Sequence, residues 1–332
     1  MSTSDFASFS DNAIMFAGIV FVLAVLAHMV EWARSIGAPV EEPAEARAEA
    51  TVGGGPVPTP DPVGPDRDSD PGTEERRSLR IEQSGRIGVA LTAVATLLLA
   101  AGVVARAFAT EPARVPWGNM YEFTLTSALG VALIYLALLK RYRLRWMGLF
   151  VTGFLVIVLM AANLLLEQAA GPLVPALHSY WLVIHVAAAI LATGAFAIGA
   201  LASVVFLLKE RFERSSSSRS RGLLRLFPDS DVLDRLAYRT HAVGFPLWTF
   251  AALIAGPIWA EYAWGAYWNW DPKEVWAFIT WVIYAAYLHA RATAGWKGRA
   301  AAILALIGFA TLLFNFIGIN FFFGASSMHS YA

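Results

Sequence analysis

Cysteine is absent from the 332 residues. That excludes disulfides, thiolate metal sites and iron–sulfur clusters, and any thiol chemistry must draw on another protein's cysteines. Charge is scarce as well. Only 15% of residues are charged, and 25 basic residues balance 25 acidic ones. A formal net charge of zero exerts no global pull toward nucleic acid. In place of charge the chain carries apolar surface: 57% of residues are hydrophobic and the mean hydropathy is +0.55. A soluble domain has more charge and fewer apolar residues.

The apolar residues gather into runs of about 20, the length that crosses a bilayer. The runs are Ala13 to Trp32, Ile87 to Phe108, Tyr121 to Leu139, Leu144 to Leu166, Trp181 to Leu208, His241 to Trp259, Pro272 to His289 and Ala300 to Phe323. In lipid every backbone group must be paired within its own segment, so the runs read as helices. The expected fold is an all-α integral membrane bundle of about eight transmembrane helices. No small-residue cleavage pattern follows the first run, which reads as an anchor and not a signal peptide.

Lys and Arg in the connections orient the bundle. Arg76, Arg77, Arg80 and Arg86 precede the second run, and Lys140, Arg141, Arg143 and Arg145 join the third to the fourth. Lys209, Arg211, Arg214, Arg219, Arg221 and Arg225 follow the fifth, and Arg291, Lys297 and Arg299 follow the seventh. The alternate loops are poor in such residues. The basic loops are therefore expected in the cytoplasm and both termini outside. The expected organisation is a first transmembrane helix over 1–33, a cytoplasmic disordered linker over 34–85, and a seven-helix core over 86–332. The linker follows from Ala38 to Ser78, rich in Pro, Gly, Ala and Glu. Residues 223–236 alternate apolar and charged and read either as an interfacial amphipathic stretch or as a loop helix on the protein's own underside.

Eight of the twelve tryptophans lie between Trp248 and Trp296. The densest stretch runs Trp264-Gly-Ala-Tyr-Trp-Asn-Trp-Asp-Pro-Lys-Glu-Val-Trp276, on the expected outer face. Interfacial anchoring explains tryptophans at a membrane surface. Asp271-Pro272-Lys273-Glu274 is also a good helix start, with Asp271 as cap and Pro272 at the first position. Neither explains three tryptophans within seven loop residues, Trp264, Trp268 and Trp270. A flat aromatic platform suits a large planar apolar ligand. The residues alone leave the belt and the platform both open.

This stretch, continued to Trp281-Val-Ile-Tyr-Ala-Ala-Tyr-Leu-His-Ala-Arg291, closely resembles the tryptophan-rich WWD signature of haem-handling membrane proteins. Within that superfamily it resembles the CcsA/ResC family of System II cytochrome c maturation. Pro116-Trp-Gly-Asn-Met-Tyr-Glu122 resembles that family's outer-loop segment, Ser179-Tyr-Trp-Leu-Val-Ile-His185 its segment with the first outer histidine, and Met328-His329 its second. The resemblance implies that His185 and His329 hold the iron of an outer haem b, with Asp271 beside them. It implies that Trp264, Gly265, Tyr267, Trp268, Trp270, Asp271 and Trp276 cradle the ring. His289 is the implied ligand of an inner haem. The second inner ligand belongs either to a ResB-type membrane partner or to His28, which lies at similar depth one turn before Glu31. His178 is an alternative outer ligand or a polar cap on the same pocket, and His241 reads as interfacial. Arg106, Arg114 and Lys273 lie near the outer face, where haem propionates would be; charged anchoring is the commoner role of such residues.

The function so implied is haem delivery across the bacterial plasma membrane and its presentation, on the extracytoplasmic face, to an apocytochrome c bearing Cys-x-x-Cys-His. Its thiols add to the haem vinyl groups, and thiol-reducing proteins keep them reduced. That would be a holocytochrome c synthase activity exercised with the ResB-type partner, haem being both substrate and bound ligand. Two other readings start from the same histidines and aromatics. A b-type electron-transfer subunit places histidine pairs on facing helices within the bilayer. A small-molecule transporter uses the aromatic loop as a gate and carries no haem.

Overall fold

The computed structural model describes residues 1–36, 71–172, 177–214 and 226–329. Among them are eight long helices and no strand. In chain order they are α1 (Thr3–Ile36), α2 (Pro71–Ala107), α3 (Met120–Leu139), α4 (Gly148–Leu165), α5 (Tyr180–Glu213), α6 (Ser230–Trp264), α7 (Pro272–Thr293) and α8 (Arg299–Phe322). All but α7 are long and apolar enough to cross a membrane. The chain is an all-α, polytopic membrane protein.

α7 is more polar because Lys273, Glu274 and Arg291 lie within it. Its 22 residues still measure about 33 Å at 1.5 Å each. It packs along α8. Asp271, at its start, bonds to Ser327 and Met328 just beyond the end of α8. A five-residue connection joins its other end to the start of α8. It therefore runs antiparallel to a spanning helix over the same depth, as the eighth crossing.

Polar side chains set several helix starts. Asn119 accepts from the backbone N–H of Glu122 at 2.9 Å, and Ser179 from that of Trp181 at 3.1 Å. Asp271 and Glu274 form a reciprocal capping box at the start of α7. Two helices change pitch. α6 widens to a π-helical segment at Phe250–Ala255, ahead of Pro257, and α8 at Phe314–Gly318.

The bundle is built around α5. Its apolar stretch is 72% buried inside the protein, against 33–44% for the other apolar helices. Small residues explain this position. Ala188, Ala189, Ala192, Gly194, Ala195, Gly199 and Ala202 let neighbouring helices approach closely. At Gly194 an added Cβ would lie 2.6 Å from the Ile134 side chain and 3.5 Å from the Gly130 backbone. Two hydrophobic clusters meet on α5. One joins α1 to α6 and the other joins α5 to α8.

The expected spans agree with these helices to within a few residues at most ends, and three expectations need amendment. α2 begins at Pro71, so residues 71–85 are helical and not linker; residues 37–70 lie outside the described residues. α6 begins at Ser230, eleven residues before the expected start. Its extension carries Asp231, Asp234, Arg235 and Arg239, and Asp234 pairs with Arg291 at 2.7 Å. Of the stretch 223–236, residues 223–225 lie outside the described residues. Phe227 packs on Trp32 at 5.4 Å and Leu233 and Leu236 are buried, as a helix on the protein's underside would have them, while Val232 is 38% exposed. From Ser230 the stretch is part of α6.

Candidate functional site

At the end of the bundle bearing the 264–271 loop, a cavity opens between α3, α4, α5, α6, α7 and α8. Its volume is about 320 Å³, at the lower end of the roughly 300–1,000 Å³ of ordinary ligand pockets. The walls are mainly apolar, and His185, His329, Trp259 and Trp268 stand among them.

His185 is fixed from two sides. Its Nδ1 lies 2.9 Å from the Ala251 carbonyl, which also accepts the Gly256 N–H across the widened turn of α6. The π-helical segment thus turns a backbone carbonyl toward α5. The imidazole also stacks on the Trp259 indole, centroids 5.9 Å apart and planes 12° apart. With Nδ1 donating to a carbonyl, Nε2 is the nitrogen left with a lone pair.

His329 follows α8 in an irregular segment. Its ring stands edge-on to Trp264 at 4.5 Å and to Trp259 at 5.4 Å. The two imidazoles therefore rest on one indole, that of Trp259. His329 Nδ1 lies 3.1 Å from Asp271 Oδ1. This is ion-pair distance, with the carboxylate off the N–H axis, so the contact is electrostatic more than a linear hydrogen bond.

Asp271 does more than cap α7. Besides the Lys273 N–H it accepts from Ser327 Oγ at 2.9 Å and from the Met328 N–H at 2.6 Å. Burial works to raise its carboxyl pKa, but His329 and the Lys273 and Met328 N–H groups outweigh that and hold it down at about 2. Lys273 Nζ donates to the His329 carbonyl at 3.3 Å and to Asn320 Oδ1 at 3.1 Å. Residues on both sides of Pro272 therefore hold the segment that carries His329.

The aromatic loop divides into parts. Tyr267 and Trp268 line the cavity, and Trp264 reaches it through His329 and Trp259. Gly265, at φ 74°, ends α6. Trp270 is 78% exposed at φ 56° and touches Trp268 edge-on at 6.0 Å. Trp276 packs on Phe314 at 4.2 Å, away from the cavity lining. Five buried polar atoms on lining residues have no hydrogen-bond partner among the described residues: Trp117 Nε1, Ser127 Oγ, Glu274 Oε1, Asn315 Oδ1 and His329 Nδ1. Buried polar atoms are normally satisfied, so such a wall suits a ligand that brings polar groups.

The other candidates do not meet at this cavity. Arg106 and Arg114 converge on the buried Glu122, at 3.4 and 2.7 Å; Arg106 also bonds Asp11 and the Gln168 carbonyl, and Arg114 the Gly171 carbonyl. They tie loops together. His178 is exposed ahead of α5. At the opposite end of the bundle His28 is fully buried, its Nδ1 3.2 Å from Glu31, which pairs with Arg145 at 2.9 Å. Its ring is packed over Gly88 and Gly148. His289 is exposed on α7, and no hydrogen bond or ring contact joins it to His28 among the described residues. His241, expected at the interface, is fully buried among Phe196, Tyr284 and Tyr287. Trp259, against which both imidazoles rest, escaped notice because it closes an apolar run.

Residues 117–325 match the family described as Cytochrome C assembly protein. The cytochrome c biogenesis protein CcsA of Gloeobacter violaceus is 34% identical over 302 residues, covering 76% of this chain and 88% of its own. That of Synechococcus elongatus is 38% identical over 287 residues, covering 74% and 87%. Among solved structures, the cytochrome c haem lyase CcmF superposes on 96% of this chain and 47% of its own, with a TM-score of 0.59 at 16% identity, a likeness of fold. By the extent of the family match and by its identity to these relatives, the chain belongs to the cytochrome c assembly protein family.

Proposed function

We propose that this chain is the CcsA/ResC subunit of a System II cytochrome c synthase, holding haem b in the loop-end cavity and presenting it to an apocytochrome c. The observation that carries this reading is the convergence of His185 and His329 on one indole beside one cavity, each with Nδ1 engaged elsewhere. Iron takes two axial imidazoles in a six-coordinate site. The cavity's aromatic wall and its unpartnered polar atoms suit the rest of a porphyrin.

The roles follow from the mountings. His185, on a helix and held by Ala251 and Trp259, fixes one axial position. His329, on an irregular segment held by Asp271 and Lys273, supplies the other. Asp271 orients His329, as carboxylates behind ligating histidines do. Trp268 and Tyr267 cover the ring and exclude water. The Cys-x-x-Cys-His thiols of the apocytochrome would add across the vinyl groups, and its histidine would displace one of the two imidazoles. The hard chemistry belongs to haem and the thiolates, and this chain supplies orientation and electrostatics. Absence of cysteine here is consistent with that division.

The reading places the loop end outside the plasma membrane, by the basic connections at the other end. His289, exposed near that inner end, is available to a ligand shared with a ResB-type partner. His28 is closed in by its own helices, which favours the partner as the second inner ligand. The test is the absorption spectrum of the purified chain with its partner. A low-spin bis-imidazole spectrum lost in both His185→Ala and His329→Ala supports the site. A spectrum unchanged in both removes it.

A further inference from the structure

Lys273 stands where helix physics disfavours a cation. It occupies the first turn of α7, and positive charge at a helix N-terminus is opposed by the macrodipole. It is partly buried, and no carboxylate lies within 4 Å of its Nζ among the described residues. Its nearest charged neighbour, Asp271, is occupied by Ser327, Met328 and His329. The ammonium has three donors, and Asn320 and the His329 carbonyl take two of them. Ionisable side chains at membrane depth are costly and mark functional sites.

Lys273 is also the only Lys or Arg lining the cavity among the described residues. The other cations at this end, Arg106 and Arg114, are consumed by Glu122 and by backbone carbonyls. We infer that Lys273 is the anchor for a carboxylate of the ligand, one propionate of the porphyrin, taken by its third donor and its uncompensated charge. This rests on the haem reading above and adds an orientation to it. The carboxylate edge of the ring lies toward Lys273 and the start of α7.

The experiment compares two probes on one protein: ferric protoporphyrin IX haem with free propionates, and its dimethyl ester. Both bring the same iron and the same apolar ring. Wild-type protein in detergent is titrated with each and followed by the bis-imidazole Soret band. The expected result is a preference for the free acid of about tenfold, the scale of one charge-assisted hydrogen bond. Lys273→Met should reduce the preference to about onefold, even where the loosened His329 segment weakens the binding of both probes alike. Lys273→Arg should keep it. The ratio is taken within each variant, so a change in the amount of folded protein does not enter. A Lys273→Met protein that still prefers the free acid as wild type does overturns the anchor and leaves the haem site standing. If wild type gives no bis-imidazole band with either probe, the haem reading fails and the anchor with it.

Discussion

The two ends of the bundle use histidine in opposite ways. At the loop end, His185 and His329 come from parts of the chain far apart in sequence, share Trp259 and line one cavity, each with Nδ1 beside an orienting oxygen. At the far end, His28 and His241 are both fully buried, and each has its Nδ1 engaged and its Nε2 sealed without a partner. His289 stands apart and exposed. Burial is therefore the wrong guide to a ligand here. Convergence on a shared cavity, with orienting contacts behind each ring, separates a binding pair from packed histidines.

The largest expected effect tests that contrast directly. His185→Ala or His329→Ala should abolish cytochrome c maturation while the protein still inserts, because each removes an axial position. Added imidazole should restore part of the activity by filling the vacancy. His241→Ala should leave the outer haem band in place. Maturation counted as covalent haem in a reporter cytochrome, with immunoblots for insertion, is the measurement. Wild-type yield in both outer variants would break the comparison.

A smaller loss is expected at Asp271. Asp271→Asn keeps a good helix cap, so capping alone predicts almost no change. The structure adds the contacts to Ser327, Met328 and His329, which an amide reproduces in part and without charge. Haem affinity should fall about 10- to 100-fold, the usual cost of losing the group behind a metal-bound histidine. The pH dependence follows from the lowered pKa. Asp271 titrates near 2, below its ordinary value of 3.8. Its contribution is fully present above the unfolded-state pKa and fades only as pH falls toward 2. Haem loss between pH 5 and 7 that disappears in Asp271→Asn would contradict this.

How much of this was legible from residues alone differs between the elements. Spans read well because the apolar run is the span. The early start of α6 did not, because Asp231, Asp234, Arg235 and Arg239 look like a solvated loop until Arg291 is seen against Asp234. The tryptophan cluster and the meeting of His185 with His329 were legible through their resemblance to a known signature. The hold of Asp271 on His329 was not, since it joins residues more than fifty positions apart. The widened turn that aims Ala251 at His185 leaves no mark in composition.

The far end gives the next prediction. In the chain purified alone, His28→Ala should leave haem content unchanged. It should lower thermal stability by about 2–5 kcal/mol, as emptying a fully buried site does. It also leaves Glu31 and Arg145 without the imidazole. His289→Ala should leave stability nearly unaltered, since its ring is exposed, and should lower haem supplied through the partner complex. Haem lost from His28→Ala in the lone chain would make it the inner ligand and undo the distinction drawn between packed and binding histidines.

The smallest effect sharpens the comparison within the loop itself. Trp268 and Trp270 look equivalent in sequence, two positions apart in one aromatic run. The structure separates them: Trp268 lines the cavity, while Trp270 is 78% exposed at φ 56°. A bulky residue in the left-handed region costs of order 1 kcal/mol. Glycine adopts that conformation without strain. Trp270→Gly should therefore keep haem retention at the wild-type level, with stability changed by less than about 1 kcal/mol, because relief of strain offsets the lost edge contact with Trp268. Trp268→Ala should release haem several-fold faster, since it opens the wall of the cavity. Both are read by the rate at which apomyoglobin extracts haem from the purified protein. Equal release rates would restore the loop to a single platform. Unchanged retention with reduced maturation in Trp270→Gly would assign the exposed indole to the incoming apocytochrome, because a side chain that does not touch the cavity acts on the second substrate and not the first.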